Sequence, residues 1–187
     1  MASFSIHTYG CQMNVRDSEL LARRLRAAGL EEAPSEDAAD VVLVNSCSVR
    51  EKAEEKALGK LGMLCAARRE RPGLVVGLTG CMANRLGTDV FGLVPGLSFS
   101  VGPRAAPAAL ADLVNRSLNG SKGLFVADST HAGDGVAGDD AVADAPAGAA
   151  APASFVTILY GCNQHCSYCI VPGSGPSGSW FWPPPRP

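Results

Sequence analysis

The 187-residue chain carries a net charge of −2 and is 47% apolar. That is enough to bury the core of a domain of ordinary size, and too little positive charge to form an electrostatic platform for nucleic acid by itself. Seven cysteines appear without a secretory signal, which speaks for metal or redox use in a reducing compartment rather than for a disulfide framework.

Strand-like sequence begins at once with Phe4 to Tyr9, leaving no room for a leader peptide. No apolar run approaches the roughly 20 residues of a membrane span, so a cytoplasmic protein with no membrane partner is expected. Residues 15–28 read as a helix, with Leu21, Leu25 and Ala28 on one face, Asn14 as N-cap and Gly29 as stop. Val41-Val42-Leu43-Val44 is a continuous apolar strand of the kind buried in parallel sheets. Ser48-Val49-Arg50-Glu51 has the spacing of a capping box and opens a second helix that runs to about Arg69. Leu74 to Leu78 and Leu97 to Val101 read as further strands, and Ala106 to Leu118 as a helix stopped by Asn119-Gly120. This alternation predicts an α/β fold over residues 1–119, a flavodoxin-like parallel sheet with helices on both faces. Residues 120–152 read as a linker, rich in Ala, Gly, Asp and Pro. Residues 153–172 begin a second domain, and 173–187 form a Gly/Ser/Pro-rich tail containing Trp180-Phe181-Trp182, for which disorder is expected. The basic clusters Arg23, Arg24, Arg26 and Arg68, Arg69, Arg71 read as solvated helix faces.

The cysteines fall into two sets. Cys11, Cys47 and Cys81 each lie just past the carboxyl end of a predicted strand, in Tyr9-Gly10-Cys11, Asn45-Ser46-Cys47 and Thr79-Gly80-Cys81. A parallel sheet brings those ends to one edge, where open α/β folds bind ligands. Predicted helix N-termini after Cys11 and Cys47 favour thiolate there, and Gly10 and Gly80 allow close backbone approach. Three thiolates hold three irons of a 4Fe–4S cube and leave the fourth open; zinc with three cysteines and water is the rival, and simple burial the third possibility. Cys162, Cys166 and Cys169 form a C-x3-C-x2-C loop, again an open-iron 4Fe–4S pattern, with zinc using His165 as the alternative. Cys65 falls inside the second helix and reads as core. His7 and His131 carry no partner pattern.

The residues carry a family resemblance. Thr8-Tyr9-Gly10-Cys11-Gln12-Met13-Asn14, Asn45 to Ala53, Gly80-Cys81-Met82-Ala83 and Gly161-Cys162 through Pro172 resemble, in order, four motifs of the methylthiotransferases, a branch of the radical S-adenosylmethionine enzymes. Gln12 and Met13 resemble the branch that makes 2-methylthio-N6-isopentenyladenosine at position 37 of tRNA, rather than the branches acting on ribosomal protein or threonylcarbamoyladenosine. The resemblance implies two 4Fe–4S clusters. Cys162, Cys166 and Cys169 would hold one, which binds S-adenosyl-L-methionine and yields a 5′-deoxyadenosyl radical that takes the hydrogen from adenine C2. Cys11, Cys47 and Cys81 would hold the other, whose open iron presents the sulfur. A second S-adenosyl-L-methionine would give the methyl group. Tyr168 stands where family members place an aromatic near the adenosyl group, or is a core tyrosine. The implied partners are tRNA and an electron donor such as a flavodoxin or ferredoxin system.

The family continues after Ile-Val-Pro with a Tyr-Thr-Arg-Gly run and the rest of a barrel. Here Pro172 is followed by Gly173-Ser174-Gly175-Pro176. The strand Ser154 to Tyr160 would lack the neighbours that satisfy its backbone. The expectation is therefore a chain that does not catalyse methylthiolation alone; a non-catalytic iron–sulfur module and a ribosomal-protein methylthiotransferase are the alternatives.

Overall fold

The run Val41-Val42-Leu43-Val44 is apolar on successive residues because it is covered on both sides. Successive side chains of a strand point to opposite faces, and all four of these are fully buried. A computed structural model describes residues 1–103, 105 and 107–126. The expectations for residues 127–187, including those for Cys162, Cys166, Cys169 and Tyr168, lie outside the described residues.

The strands are β1 (Ser3–Tyr9), β2 (Glu31–Glu32), β3 (Val41–Ser46), β4 (Val75–Thr79), β5 (Phe99–Val101) and β6 (Leu124–Val126). They form one sheet in the order β2-β1-β3-β4-β5-β6 with every pair parallel. The helices are α1 (Gln12–Ala27), α2 (Glu51–Ala67), α3 (Cys81–Leu86), α4 (Val90–Leu93) and α5 (Pro107–Leu118). On one face Val41, Leu43, Val75 and Phe99 pack with Leu21 and Leu25 of α1 and with Leu113 and Val114 of α5. On the other, Val42, Val44, Val76 and Leu78 pack with Leu61 and Leu64 of α2, Met82 of α3 and Val90 of α4. Burying each such Val or Leu contributes about 1.5–3 kcal/mol over leaving it exposed, so the two-sided core dictates the layers.

The chain steps from β1 outward to β2 and then returns to the other side of β1 as β3. This is the flavodoxin-like switch of direction, and the crevice beyond the carboxyl ends of β1 and β3 is where such sheets bind ligands.

The α/β alternation, the parallel sheet and the three cysteine-bearing strands agree with the sequence reading. Several details differ. Helix α1 begins at Gln12 with Cys11 at its N-cap, so Asn14 is the third helical residue and not the cap. Helix α2 has Arg50 at its N-cap, and the Ser48 hydroxyl is buried with no hydrogen-bond partner among the described residues. The capping-box spacing there is sequence coincidence: Ser48 is buried after Cys47, and the helix starts later, at Glu51. The short elements β2, β6, α3 and α4 lack the length for a readable period. Strand β6 adds Leu124–Val126 to the sheet, beyond residue 119.

Candidate metal centre at the carboxyl edge of the sheet

Strands β1, β3 and β4 end in register. Thr8 pairs with Asn45 and Asn45 with Thr79, so the last shared row of the three strands is polar, after rows in which β3 and β4 carry only apolar residues and glycine. Beyond that row come Gly10-Cys11, Ser46-Cys47 and Gly80-Cys81. The structure therefore brings Cys11, Cys47 and Cys81 to one edge, just past the ends of three adjacent strands. Cys47, on the central strand, is 3% exposed; Cys11 is half-buried and Cys81 exposed.

Each position has a local cause. The Cys11 backbone N–H donates to Asn14 Oδ1 at 3.1 Å, and its thiol lies 3.4 Å from the same oxygen. This turns the start of α1, a 16-residue helix, back on the β1 loop. The Cys47 N–H donates to Tyr9 O at 3.0 Å, and the Val49 N–H donates to Cys47 Sγ at 3.3 Å. Arg50 crosses the gap, donating to Gly10 O at 3.1 Å. Cys81 is the first residue of α3, a helix the sequence reading missed.

Two glycines let the loops close in. A Cβ on Gly10 would stand 2.2 Å from Asn14 Oδ1 and 2.8 Å from Cys47 Cβ. Gly80 has φ +92°, and a Cβ there would meet Asn45 Oδ1 at 2.4 Å and Ser46 O at 2.5 Å. The two side chains against which they pack form a buried pair. Asn14 Nδ2 donates to Asn45 Oδ1 at 3.1 Å, and Asn45 Nδ2 donates to Asn14 O and Ser18 Oγ, each at 2.9 Å. The hydroxyls of Ser18 and Thr8 are 2.7 Å apart. Sequence reasoning treated Asn14 as a cap and gave Asn45 no role. The available signal was an amide closing an otherwise apolar buried strand, where it must find partners.

The edge suits an anionic metal–sulfur group in a further respect. Ser48 Oγ and Thr79 Oγ1, flanking Cys47 and Gly80-Cys81, are buried without hydrogen-bond partners among the described residues, and such hydroxyls are donors awaiting an acceptor. Among the described residues, no three His, Cys, Asp or Glu side chains stand close enough together to hold a single metal ion.

The other singled-out residues lie elsewhere. Cys65 packs against the α2 face of the core, as expected. It borders a cavity of about 530 Å³ between α2 and Leu93-Val94-Pro95, and burial pushes its thiol pKa up against the opposing pull of Arg68. His7 and Lys60 both pair with Glu36. Burial raises the Glu36 pKa, but these two partners outweigh it and hold the carboxyl below its ordinary value. The arginine clusters are not simply solvated: Arg24 is buried and donates to Ala105 O, Arg68 donates to Gly96 O, and Arg71 to Ala39 O. Loops left with bare carbonyls recruit them.

The architecture defines a flavodoxin-like α/β domain with three cysteines along the carboxyl edge of its sheet. The chain belongs to the family described as Uncharacterized protein family UPF0004, which matches residues 3–102. It is similar to the tRNA-2-methylthio-N(6)-dimethylallyladenosine synthase of Sorangium cellulosum, with 40% identity over 92% of this chain and 35% of that protein. The synthases of the same name from Akkermansia muciniphila and Chlorobium phaeobacteroides are 37% and 36% identical over 92% and 89% of this chain, covering 39% and 36% of their own lengths. The chain thus spans little more than a third of these relatives. The methylthiotransferase resemblance read from the motifs is borne out by these names.

Proposed function

We propose that this chain is the cluster-holding amino-terminal part of a tRNA methylthiotransferase, one that converts N6-isopentenyladenosine at position 37 into its 2-methylthio form. The observation that carries the reading is the delivery of Cys11, Cys47 and Cys81 to one ligand-binding edge by adjacent parallel strands β1, β3 and β4. The family membership and the names of the similar synthases support it.

On this reading Cys11, Cys47 and Cys81 hold one 4Fe–4S cluster, while Cys162, Cys166 and Cys169 hold a second that binds S-adenosyl-L-methionine, with Tyr168 beside the adenosyl group. A cube held by three thiolates keeps one iron for an outside ligand, which supplies sulfur presentation at one site and reductive chemistry at the other. The rest is the work of this chain's own groups. Cys47, buried and with a backbone N–H on its sulfur, is the fixed ligand. Cys11 and Cys81, nearer solvent, would complete the ligand set. Ser48 and Thr79 supply hydroxyl donors, and Arg50 a positive charge at the rim. A reduced flavodoxin or ferredoxin is the class of electron donor, tRNA the macromolecular partner and the cytoplasm the setting. No helix of the described residues is long and apolar enough to cross a membrane.

A chimera tests the activity. Residues 3–102 are exchanged into the Sorangium cellulosum synthase, expressed in a methylthiotransferase-deficient bacterium, and tRNA nucleosides are read by mass spectrometry. The 2-methylthio nucleoside is expected with the exchanged segment and absent with its Cys47→Ser variant. A folded chimera that leaves only isopentenyladenosine contradicts the proposal.

A further inference from the structure

We infer that the side-chain amides of Asn14 and Asn45 are a positioning pair that fixes the mutual spacing of the three cysteine-bearing strand ends before any metal binds. The inference deepens the proposed function and rests on it for what the spacing serves.

The three strand ends belong to different segments; backbone pairing continues between β1 and β3 to Tyr9–Ser46 and the Cys47 N–H on Tyr9 O, but not on the β4 side. Strand β4 pairs with β3 only as far as Asn45–Thr79, and Cys81 lies two residues past that rung. The amide pair reaches across the gap. Asn14 takes the Cys11 N–H on its oxygen and gives its Nδ2 hydrogen to Asn45. Asn45, on the central strand, ties to α1 through Asn14 O and Ser18 Oγ. The Gly80 turn packs against the amide of Asn45, since any side chain at Gly80 would overlap Asn45 Oδ1. The Gly10 turn packs in the same way against Asn14 Oδ1 and Cys47. One pair of amides thus touches the β1, β3 and β4 ends together.

The pair is polar, 1% and 0% exposed, and sits where apolar residues would pack more cheaply. Neutral amides suit the position better than carboxylates, because they place a donor and an acceptor on each side without setting a negative charge beside sulfur ligands. Buried polar networks of this kind, fully satisfied, select one arrangement of the groups they touch, and residues behind metal ligands set the ligands' orientation.

The test uses the full chain carrying Cys162→Ser, Cys166→Ser and Cys169→Ser, so that only the first cysteine set can bind iron. In the metal-free protein, Asn14→Ala is expected to speed hydrogen exchange of the Cys11 amide about threefold to tenfold, the range one ordinary hydrogen bond controls. The Val42 to Val44 amides in the sheet centre are expected to stay as protected as before. Asn14→Asp, which keeps an oxygen acceptor, should restore Cys11 protection. After anaerobic reconstitution, Asn14→Ala and Asn45→Ala should each retain less than half the iron of the parent, whereas Leu61→Ala, a core variant, should retain all of it. Unchanged Cys11 exchange, equal acceleration throughout the sheet, or full iron retention in both asparagine variants would overturn the inference. A parent that takes up no iron refutes the proposed function instead, and the exchange measurement still decides whether the pair holds the loops.

Discussion

The two edges of the sheet solve the same problem with different chemistry. At the amino edge, Asp40 closes the starts of β1 and β3 by accepting the Ser3 N–H and hydroxyl at 2.8 and 2.9 Å, while the Ser3 hydroxyl also meets Ala38 O and the Asp40 N–H. A solvent-exposed carboxylate satisfies its neighbours locally. At the carboxyl edge the closing groups are neutral, buried amides, two glycines are pressed against them, and the Ser48 and Thr79 hydroxyls are buried without hydrogen-bond partners among the described residues. The amino edge is built for stability. The carboxyl edge accepts crowding and unsatisfied donors, the pattern expected where a ligand completes the structure.

The sharpest way to break this contrast is to add one carbon at the carboxyl edge. Gly80→Ala combines positive φ with overlap against backbone and Asn45. It is expected to cost about 3–5 kcal/mol in chemical denaturation, more than the roughly 1–3 kcal/mol of backbone strain alone. Gly87→Ala is the control: its φ is +53° but nothing lies within 4 Å of the new Cβ, so about 1–3 kcal/mol of backbone strain is expected without the overlap. Equal losses would show that crowding at Gly80 is unimportant.

Next in size is the replacement of Ser48 by Ala. An orphaned buried hydroxyl costs about 1–3 kcal/mol, so in the metal-free chain Ser48→Ala is expected to raise the melting temperature. Once iron is bound the gain should shrink, because the hydroxyl then has an acceptor. A variant less stable than the parent without metal contradicts this account.

At the amino edge, hydrogen bonds from the Ser3 backbone and then its side chain hold the Asp40 pKa below its ordinary 3.8. A depressed folded pKa stabilises the fold above the unfolded value, and that contribution is lost as pH falls through the folded value. Asp40→Asn should therefore lower the melting temperature at pH 7, and the difference should vanish in acid; a difference independent of pH would refute it. The smallest effect is expected at the Arg26–Glu32 pair, both more than half exposed, where Arg26→Ala should cost less than about 1 kcal/mol by denaturation.

Much of this was legible in the sequence because the strands state it directly. Val41 to Val44 and Val75 to Leu78 are short, apolar and rich in β-branched residues, which reads as two-sided strands, and a glycine or serine followed by cysteine after each places the thiols at the strand ends. The amide pair was not legible. Asn14 sits at a position that also reads as a cap, and only the turn of α1 back onto Cys11 reveals its partner, 31 residues away at Asn45. Helix α3 was missed because six residues give no period, and the inward Ser48 because Ser-x-x-Glu matches a cap whether or not the helix starts there.

The central claim is that Cys11, Cys47 and Cys81 form one metal-binding unit, separate from Cys162, Cys166 and Cys169. Anaerobic reconstitution of the full chain with iron and sulfide, followed by iron and sulfide analysis, tests it most directly. The account predicts about eight irons per chain, and about four when Cys11, Cys47 and Cys81 are all replaced by serine. An iron content unchanged by that triple replacement would contradict it.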